Sequence, residues 1–261
     1  TTLSLPEESK PIIVFDEAHA QYHDSGRLAY FLGNLSKKYE IIINREEITW
    51  NLLKDAWLLI ITNPGSGAVF TDIEVEAIRK FLRMGKALLV MGTWYKYIND
   101  NELNKLINGS GIRFTKTTIW DEEKNDGHVY HPLAGIWADN KIAKQIRAGV
   151  ENVVHSGCML EVSGNAIPIL YTYNTSYVLD SERNIIARGP QVIVAVSNYL
   201  GGWILAMGGP APYYYDSFDN KLFSENVVDW LYRAVHRIVL IDLYHGEYFV
   251  GNSCLLYTSP S

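Results

Sequence analysis

The segment LLIITNPGSGAVFTDIEVEAIRKFLRMGKALLVMG, residues 58–92, contains the pattern that decides the fold. Its two fully apolar runs, Leu58–Ile61 and Ala87–Met91, are typical of strands buried on both faces of a parallel sheet. Between them, the sequence Thr71-Asp-Ile-Glu74 has the form of a capping box, which marks the start of a helix. The segment therefore predicts a β–α–β unit with its helix over about residues 72–84.

The same alternation is found on the N-terminal side of this unit. Apolar runs at 11–15 and 39–44 predict two more strands, and apolar residues at helical spacing predict a helix over 24–38 between them. The strands are predicted to be parallel and to centre near Val14, Ile42, Ile60 and Leu89. This rhythm is typical of a doubly wound, flavodoxin-like or Rossmann-like α/β fold with a mostly parallel sheet.

The second half of the chain is expected to be rich in β-structure. Strand-like patterns cover 150–160, 167–173, 191–197 and 203–207. Leu200-Gly-Gly202 predicts a hairpin between the last two of these strands. Helices are predicted over 99–111 and 223–232, and residues 112–135 are expected to be irregular and polar.

These patterns divide the chain into three parts. We expect a flexible polar N-terminus over 1–10, one α/β domain over 11–233, and the beginning of a following domain over 234–261. The last seven residues, 255–261, resemble a translated sequencing adapter more than a natural continuation. They predict a non-native tail and an environmental, metagenomic origin.

Composition restricts the functions that the chain can have. Hydrophobic residues make up 48% of the 261 residues and charged residues 20%, which is ordinary for a globular core. The net charge of −6 gives no basic footprint for a nucleic acid. No apolar run reaches the roughly 18 to 20 residues that span a bilayer. We therefore expect a soluble protein, cytoplasmic or at the cell surface.

Two common nucleotide motifs are absent from the sequence. No G-x-G-x-x-G follows the first strand, and no G-x-x-x-x-G-K-[ST] occurs anywhere. We therefore expect no cofactor. The two cysteines, Cys158 and Cys254, are too few for a disulfide scaffold or a four-cysteine zinc site. Cys158 precedes Met159-Leu160 in an apolar setting, which predicts a structural role.

Several stretches resemble a known family in their order and spacing. They are Val14–Gln21, Thr62–Pro64, Phe70–Gly92, Val129–Pro132, Gly202–Gly209 and Asn226–Leu231. Over about residues 10–233 the chain resembles the class I glutamine-amidotransferase-like superfamily. Within that superfamily it is most similar to the DUF4350-type and GIFT-type domains, which include a domain of an intraflagellar-transport subunit and gliding-motility-associated proteins.

The resemblance does not extend to the catalytic residue. Catalytic members carry a nucleophilic Cys on a G-x-C-x-G elbow, where backbone N–H groups stabilise an oxyanion. The corresponding segment here is Gly92–Lys96, in which Thr93 is the only hydroxyl and no Cys is present. The resemblance therefore implies a non-catalytic binding or scaffold domain, with a protein partner or a small polar ligand at the C-terminal edge of the strands.

Candidate site residues follow from the rule that open α/β sheets bind ligands beyond the C-terminal ends of their strands. The candidates are Asp16, His19, His23, Asn63, Thr93, Trp94, Tyr95, His131 and Tyr213. In one interpretation Asp16 caps the following helix and His19 bonds to nearby backbone. In the alternative, Asp16, His19 and His131 hold a metal ion for a hydrolase. The acidic run 121–126 is expected to be a solvated turn.

Overall fold

The computed structural model describes residues 9–236, together with the backbone of 238–241 and 248–251. The strands are β1 (Ile12–Asp16), β2 (Glu40–Asn44), β3 (Ala56–Ile61), β4 (Ala87–Met91), β5 (Ile112–Phe114), β6 (Thr118–Trp120), β7 (Leu133–Trp137), β8 (Val153–Val154), β9 (Leu160–Val162), β10 (Ile167–Thr172), β11 (Tyr177–Leu179), β12 (Ile185–Arg188), β13 (Val192–Tyr199), β14 (Gly202–Met207), β15 (Ile238–Ile241) and β16 (Tyr248–Gly251). The helices are α1 (Ala29–Leu35), α2 (Trp50–Leu53), α3 (Asp72–Arg83), α4 (Asp100–Leu106), α5 (Lys141–Arg147) and α6 (Asn220–Val235), with a 3-10 helix at Ala211–Tyr214.

A nine-stranded sheet forms the centre of the molecule, in the order β2-β1-β3-β4-β14-β13-β10-β7-β8. The first five of these strands are parallel, which confirms the parallel arrangement predicted for β1 to β4. The other four continue the same sheet in antiparallel order. The sheet is therefore mixed, and the expectation of a mostly parallel sheet holds only for β2, β1, β3, β4 and β14.

The central β–α–β unit forms as its sequence predicts. Every residue of β3 and β4 is buried, because both faces of the sheet are covered. The capping box at the start of α3 is complete: the Thr71 hydroxyl accepts from the Glu74 N–H, and the Glu74 carboxylate accepts from the Thr71 N–H. Gly85, at φ +76, follows the helix in the left-handed conformation that glycine adopts at no steric cost.

Helices cover both faces of the sheet, as a doubly wound fold requires. On one face, residues of α1, α5 and α6 pack on alternate side chains of the strands. On the other face, α2, α3, α4 and the β5–β9 pair form a second core. The strand order β2-β1-β3-β4 is that of flavodoxin-like sheets, in which the order reverses beside β1.

The middle of the chain contains more β-structure than its sequence predicts. Residues 112–135 were expected to be irregular, yet they form β5, β6 and the start of β7. β5 pairs with β9 and β6 with β11, so their partners are distant in sequence and a local pattern does not reveal them. The hairpin after β13 is as predicted, with Leu200 at φ +56 and Gly201 at φ +92, as in a type I′ turn.

At the C-terminal end, β15 and β16 form an antiparallel pair. Residues 1–8 of the N-terminal segment that was expected to be flexible lie outside the described residues. The predicted non-native tail, 255–261, also lies outside them. The division into domains stays a prediction.

In the part of the chain that the structure describes, no helix is both long and apolar enough to cross a membrane.

Candidate functional site

An open cleft of about 740 Å³ lies at the C-terminal ends of the parallel strands. The loops that follow β1, β3, β4 and β14 form most of its wall, and the loop before β7, Lys116 between β5 and β6, and Ser156 after β8 complete it. This is the edge at which open α/β sheets bind ligands, since the loops there diverge around the reversal in strand order.

Most of the predicted site residues line this cleft. They are His23, Asn63, Thr93, Trp94, Tyr95, His131 and Tyr213. Asp16 and His19 do not line it, although both belong to the loop after β1. The nine candidates therefore form two sets, seven residues that line the cleft and the buried pair Asp16 and His19. That the seven cleft residues contact a ligand stays a prediction.

A continuous series of aromatic rings surrounds the cleft, and we call it the aromatic belt. Its members, in spatial order, are Tyr22, His23, Tyr213, Tyr214, His131, Tyr130, Trp94 and Tyr97. Centroids of neighbouring rings lie between 4.6 and 6.2 Å apart. Tyr22, Tyr97 and Tyr130 are exposed. The belt therefore presents apolar ring faces and polar tips to the solvent in the cleft.

Asn63 has a structural role at the base of the cleft. Its side-chain amide donates to the Tyr97 carbonyl at 3.0 Å and its carbonyl accepts from the Asn99 N–H at 2.9 Å. Asn99 in turn donates to the carbonyls of Gly65 and Ala68. The loops after β3 and β4 are thus held together by two buried or half-buried amides, which fixes one wall of the cleft.

The elbow after β4 does not have the geometry of a nucleophile site. Thr93 is buried, and in the described part of the chain no histidine nitrogen is hydrogen-bonded to its hydroxyl. The helix that follows, α4, begins only at Asp100, so no helix N-terminus adjoins Thr93. Trp94 and Tyr95 are half-buried and occupy the position where a substrate would approach.

His19 is buried between two carboxylates. Its Nδ1 lies 2.7 Å from Asp16 Oδ2 and its Nε2 lies 3.1 Å from Glu74 Oε1. Burial lowers the pKa of His19, but the hydrogen bond and charge of Asp16, with the charge of Glu74, outweigh it and raise the pKa above 6.5. When it is protonated, His19 is therefore the central cation of a buried triad that links the β1 loop to α3.

The triad corrects two hypotheses about the β1 loop. Asp16 does not cap a helix, since α1 begins at Ala29 and the Asp16 carboxylate accepts instead from Gln21 and Asn44. His19 bonds to two side chains, not to backbone carbonyls. Over the residues that the structure describes, Asp16, His19 and His131 are not grouped at metal-ligating distance, so the metal-dependent hydrolase lacks its ligand set.

The pKa of His23 is shifted in the opposite direction to that of His19. Burial lowers its pKa to about 4, and the nearby Arg27 guanidinium acts in the same direction. At neutral pH the cleft therefore contains a neutral imidazole at this position, packed edge-on against Tyr213 at 5.0 Å between ring centroids.

The acidic run before β7 is not a simple solvated turn. Asp121 is fully buried, and its carboxylate accepts from the N–H groups of Glu123 and Lys124 and from the Thr175 hydroxyl. This carboxylate organises the loop that carries Tyr130 and His131 to the cleft. The segment after β14 contains the 3-10 helix that positions Tyr213 and Tyr214.

Cys158 is fully buried, which agrees with its predicted structural role, and burial raises its pKa to about 12. We expect the native protein, in a Cys254→Ser background, to resist a thiol reagent at neutral pH, because almost no thiolate forms. Labelling should become complete only in denaturant, which serves as the control. Rapid labelling of native Cys158 would contradict the structural role.

Comparison with solved structures shows which known proteins share this fold. The mmIFT52 N-terminal domain matches with a TM-score of 0.65 and 20% identity, covering 84% of this chain and 96% of that one. A ThuA-like protein from Bacteroides uniformis has a TM-score of 0.53 and 13% identity, covering 88% and 95%. The cytoplasmic protein STM1381 from Salmonella typhimurium has a TM-score of 0.56 and 11% identity, covering 85% and 99%.

At these identities the structural likenesses show a shared fold, which is glutamine-amidotransferase-like. They support the GIFT-type part of the resemblance; the DUF4350-type likeness and the environmental origin stay predictions. A search of curated protein sequences gave no match. The model of the IFT52 GIFT domain matches residues 12–173, more than half of the chain. The chain therefore belongs to the IFT52 GIFT domain family.

Proposed function

We propose that this chain is a non-catalytic binding domain whose cleft holds a segment of a protein partner. The aromatic belt is the observation that carries the proposal. It replaces the nucleophile region of an amidotransferase-like fold with half-buried and exposed rings, among them Trp94, Tyr97 and Tyr130. Tyrosine and tryptophan are enriched at the centres of protein interfaces, where one ring supplies apolar area and a polar tip.

The absence of catalytic geometry at the elbow supports the same proposal. A threonine nucleophile needs a base within hydrogen-bonding distance and donors aimed at a developing oxyanion. Thr93 is buried, no histidine nitrogen among the described residues is hydrogen-bonded to its hydroxyl, and His19 of the loop after β1 is held by Asp16 and Glu74. Binding by the belt therefore needs no reaction at Thr93.

The belt is also rigid enough to recognise a partner. Asn63 and Asn99 hold the loops on one side, and buried Asp121 holds the loop on the other. Side chains that are already ordered lose less conformational entropy when a partner binds. The cleft is open and lined by rings, so it can accept an extended peptide with apolar or aromatic side chains. A deep, enclosed pocket could not accept such a peptide.

We expect Trp94→Ala to weaken partner binding by about 30-fold or more, since truncation of a central interface tryptophan costs about 2 kcal/mol or more. Peptides would be selected against the wild-type domain from a random display library, and their dissociation constants measured by fluorescence anisotropy. Tyr30→Ala is the matched control, because Tyr30 is 74% exposed and lies on α1 outside the cleft. Its affinity should equal that of the wild type.

Three outcomes would count against the proposal. Selected peptides that bind Trp94→Ala as tightly as the wild type would place the contact elsewhere. The small-ligand alternative would be favoured if the selection gave no binding peptide and a small polar compound raised the stability of the wild type but not that of Trp94→Ala. In a hydrolase screen, turnover that is present in the wild type and lost in an equally stable Thr93→Ala would make the elbow an active site.

A further inference from the structure

The loop before β7 brings two imidazoles and one carboxylate together at the rim of the cleft. Asp126, His128 and His131 each offer a ligand atom, and these atoms all lie within 4.8 Å of one another. The Asp126 carboxylate faces the Nδ1 atoms of both histidines, at 3.3 Å for His128 and 3.1 Å for His131. The function proposed above does not use this cluster as a unit.

We propose that Asp126, His128 and His131 form a binding site for one divalent transition-metal ion, with Zn²⁺ as the preferred ion. Two nitrogen ligands and one carboxylate oxygen are a donor set that zinc accepts readily, whereas Mg²⁺ and Ca²⁺ prefer oxygen ligands alone. The site shares His131 with the Asp16, His19 and His131 set that the sequence predicted, but its other two ligands come from the same loop as His131.

The ligand atoms are already grouped closely enough to surround one ion. Metal–ligand bonds of 2.0–2.1 Å at tetrahedral angles separate ligand atoms by roughly 3.3 Å. The separations are similar, 3.3 Å from Asp126 Oδ1 to His128 Nδ1 and 3.1 Å from Asp126 Oδ2 to His131 Nδ1, but each involves a different oxygen of the carboxylate. An ion would therefore replace the protons now shared between Asp126 and the histidines once the Asp126 carboxylate has rotated to direct one oxygen at the ion.

Tyr214 supplies the supporting contact that a ligating histidine needs. Its hydroxyl lies 3.2 Å from His131 Nε2, the nitrogen that faces away from Asp126. With His131 bound to the ion through Nδ1, Nε2–H would donate to Tyr214 and fix the orientation of the ring. Such outer contacts accompany most metal-binding histidines, and their loss commonly weakens metal affinity by about 10- to 100-fold.

The loop is ordered by its own hydrogen bonds and is also open to an incoming ion. The His131 N–H donates to the His128 carbonyl at 2.8 Å, and Gly127 adopts φ +106, which favours glycine. The side chains of Asp126 and His131 are 16% and 17% exposed, whereas that of His128 is 56% exposed. Two ligands are therefore partly shielded from water, and the third gives access from solvent.

The test is a calorimetric titration of untagged, chelator-treated protein with Zn²⁺. A Cys254→Ser background removes a second thiol that could bind zinc. We expect one equivalent of Zn²⁺ per chain, with the dissociation constant raised about tenfold or more in both His128→Ala and Asp126→Asn. Tyr214→Phe should weaken binding about tenfold, and His236→Ala, which alters an exposed histidine on another element, should leave it unchanged.

Substitution of Co²⁺ provides a second, spectroscopic measurement. The wild type should show the visible absorption of four-coordinate cobalt, and His128→Ala should lose it while its circular dichroism stays that of the folded protein. The proposal is overturned if the wild type binds no stoichiometric Zn²⁺. It is also overturned if His128→Ala and Asp126→Asn bind Zn²⁺ as the wild type does.

Discussion

The His19→Ala variant is expected to lose about 3–5 kcal/mol of unfolding free energy near pH 6, the usual cost of removing one partner from a buried ionic group. The substitution leaves the carboxylates of Asp16 and Glu74 buried without the cation that separates them. Urea unfolding followed by tryptophan fluorescence measures the loss. His236→Ala, at an exposed histidine, is the control and should unfold as the wild type does.

The pH dependence of stability gives an independent check of the same triad. The folded-state pKa of His19 is raised above 6.5, so its contribution is fully present below that pH and is lost as the pH rises through the folded value. Burial raises the pKa of Glu74, but hydrogen bonds from the Ile48 and Thr71 N–H groups lower it below 4.5 overall. Its contribution is present above pH 4.5 and is lost as the pH falls through the folded pKa.

The triad should therefore stabilise the protein most between about pH 4.5 and 6.5. The stability difference between the wild type and His19→Gln, which keeps hydrogen-bonding capacity without a charge, should shrink as the pH rises above the folded pKa of His19. A difference that is constant from pH 5 to pH 9 would show that His19 is neutral in the folded protein.

Gly157→Ala is the second substitution with a large expected effect. A Cβ at this position would lie 2.1 Å from the Gly208 carbonyl oxygen and 2.7 Å from the Gly209 Cα. Both contacts are with backbone, so no side-chain rotation relieves them. We expect a loss of about 3 kcal/mol or more, the upper end of overpacking costs.

Gly33→Ala is the matched control for this prediction. Gly33 lies on the exposed side of α1, and a Cβ there would meet nothing within 4 Å. The substitution should leave stability unchanged or raise it by up to about 1 kcal/mol, because alanine is the better helix former. Equal melting temperatures for Gly157→Ala and the wild type would contradict the close backbone packing between the segments after β8 and β14.

The sequence predicted the parallel half of the fold because the determinants there are local. The capping box at Thr71 and the apolar runs of β3 and β4 specify their own structure, and short connections order the neighbouring strands. The β-rich half depends on pairs such as β6 with β11, in which each strand has three residues. Strands of three residues are too short to show an alternating pattern of apolar and polar residues. Whether they form therefore depends on the distant strands with which they pair.

The residues of the candidate site were likewise predictable only in part. The rule about strand ends located His23, Thr93 and Trp94 at the cleft, because the topology alone places them there. It missed Tyr130, which reaches the cleft only through the loop that the buried Asp121 organises. It also misplaced His19, because the sequence does not reveal that Glu74, a capping residue of α3, faces the same imidazole.

The strand order has a consequence for synthesis of the chain on the ribosome. β4 ends at Met91, and its parallel neighbour β14 begins only at Gly202. Until β14 has been made, one side of the apolar β4 is an unpaired edge, the kind of surface that recruits strands from other chains. Loop closure over this separation also slows folding. We therefore expect truncated chains that end before β14 to aggregate, and chaperones that shield strand edges to associate with this protein during its translation.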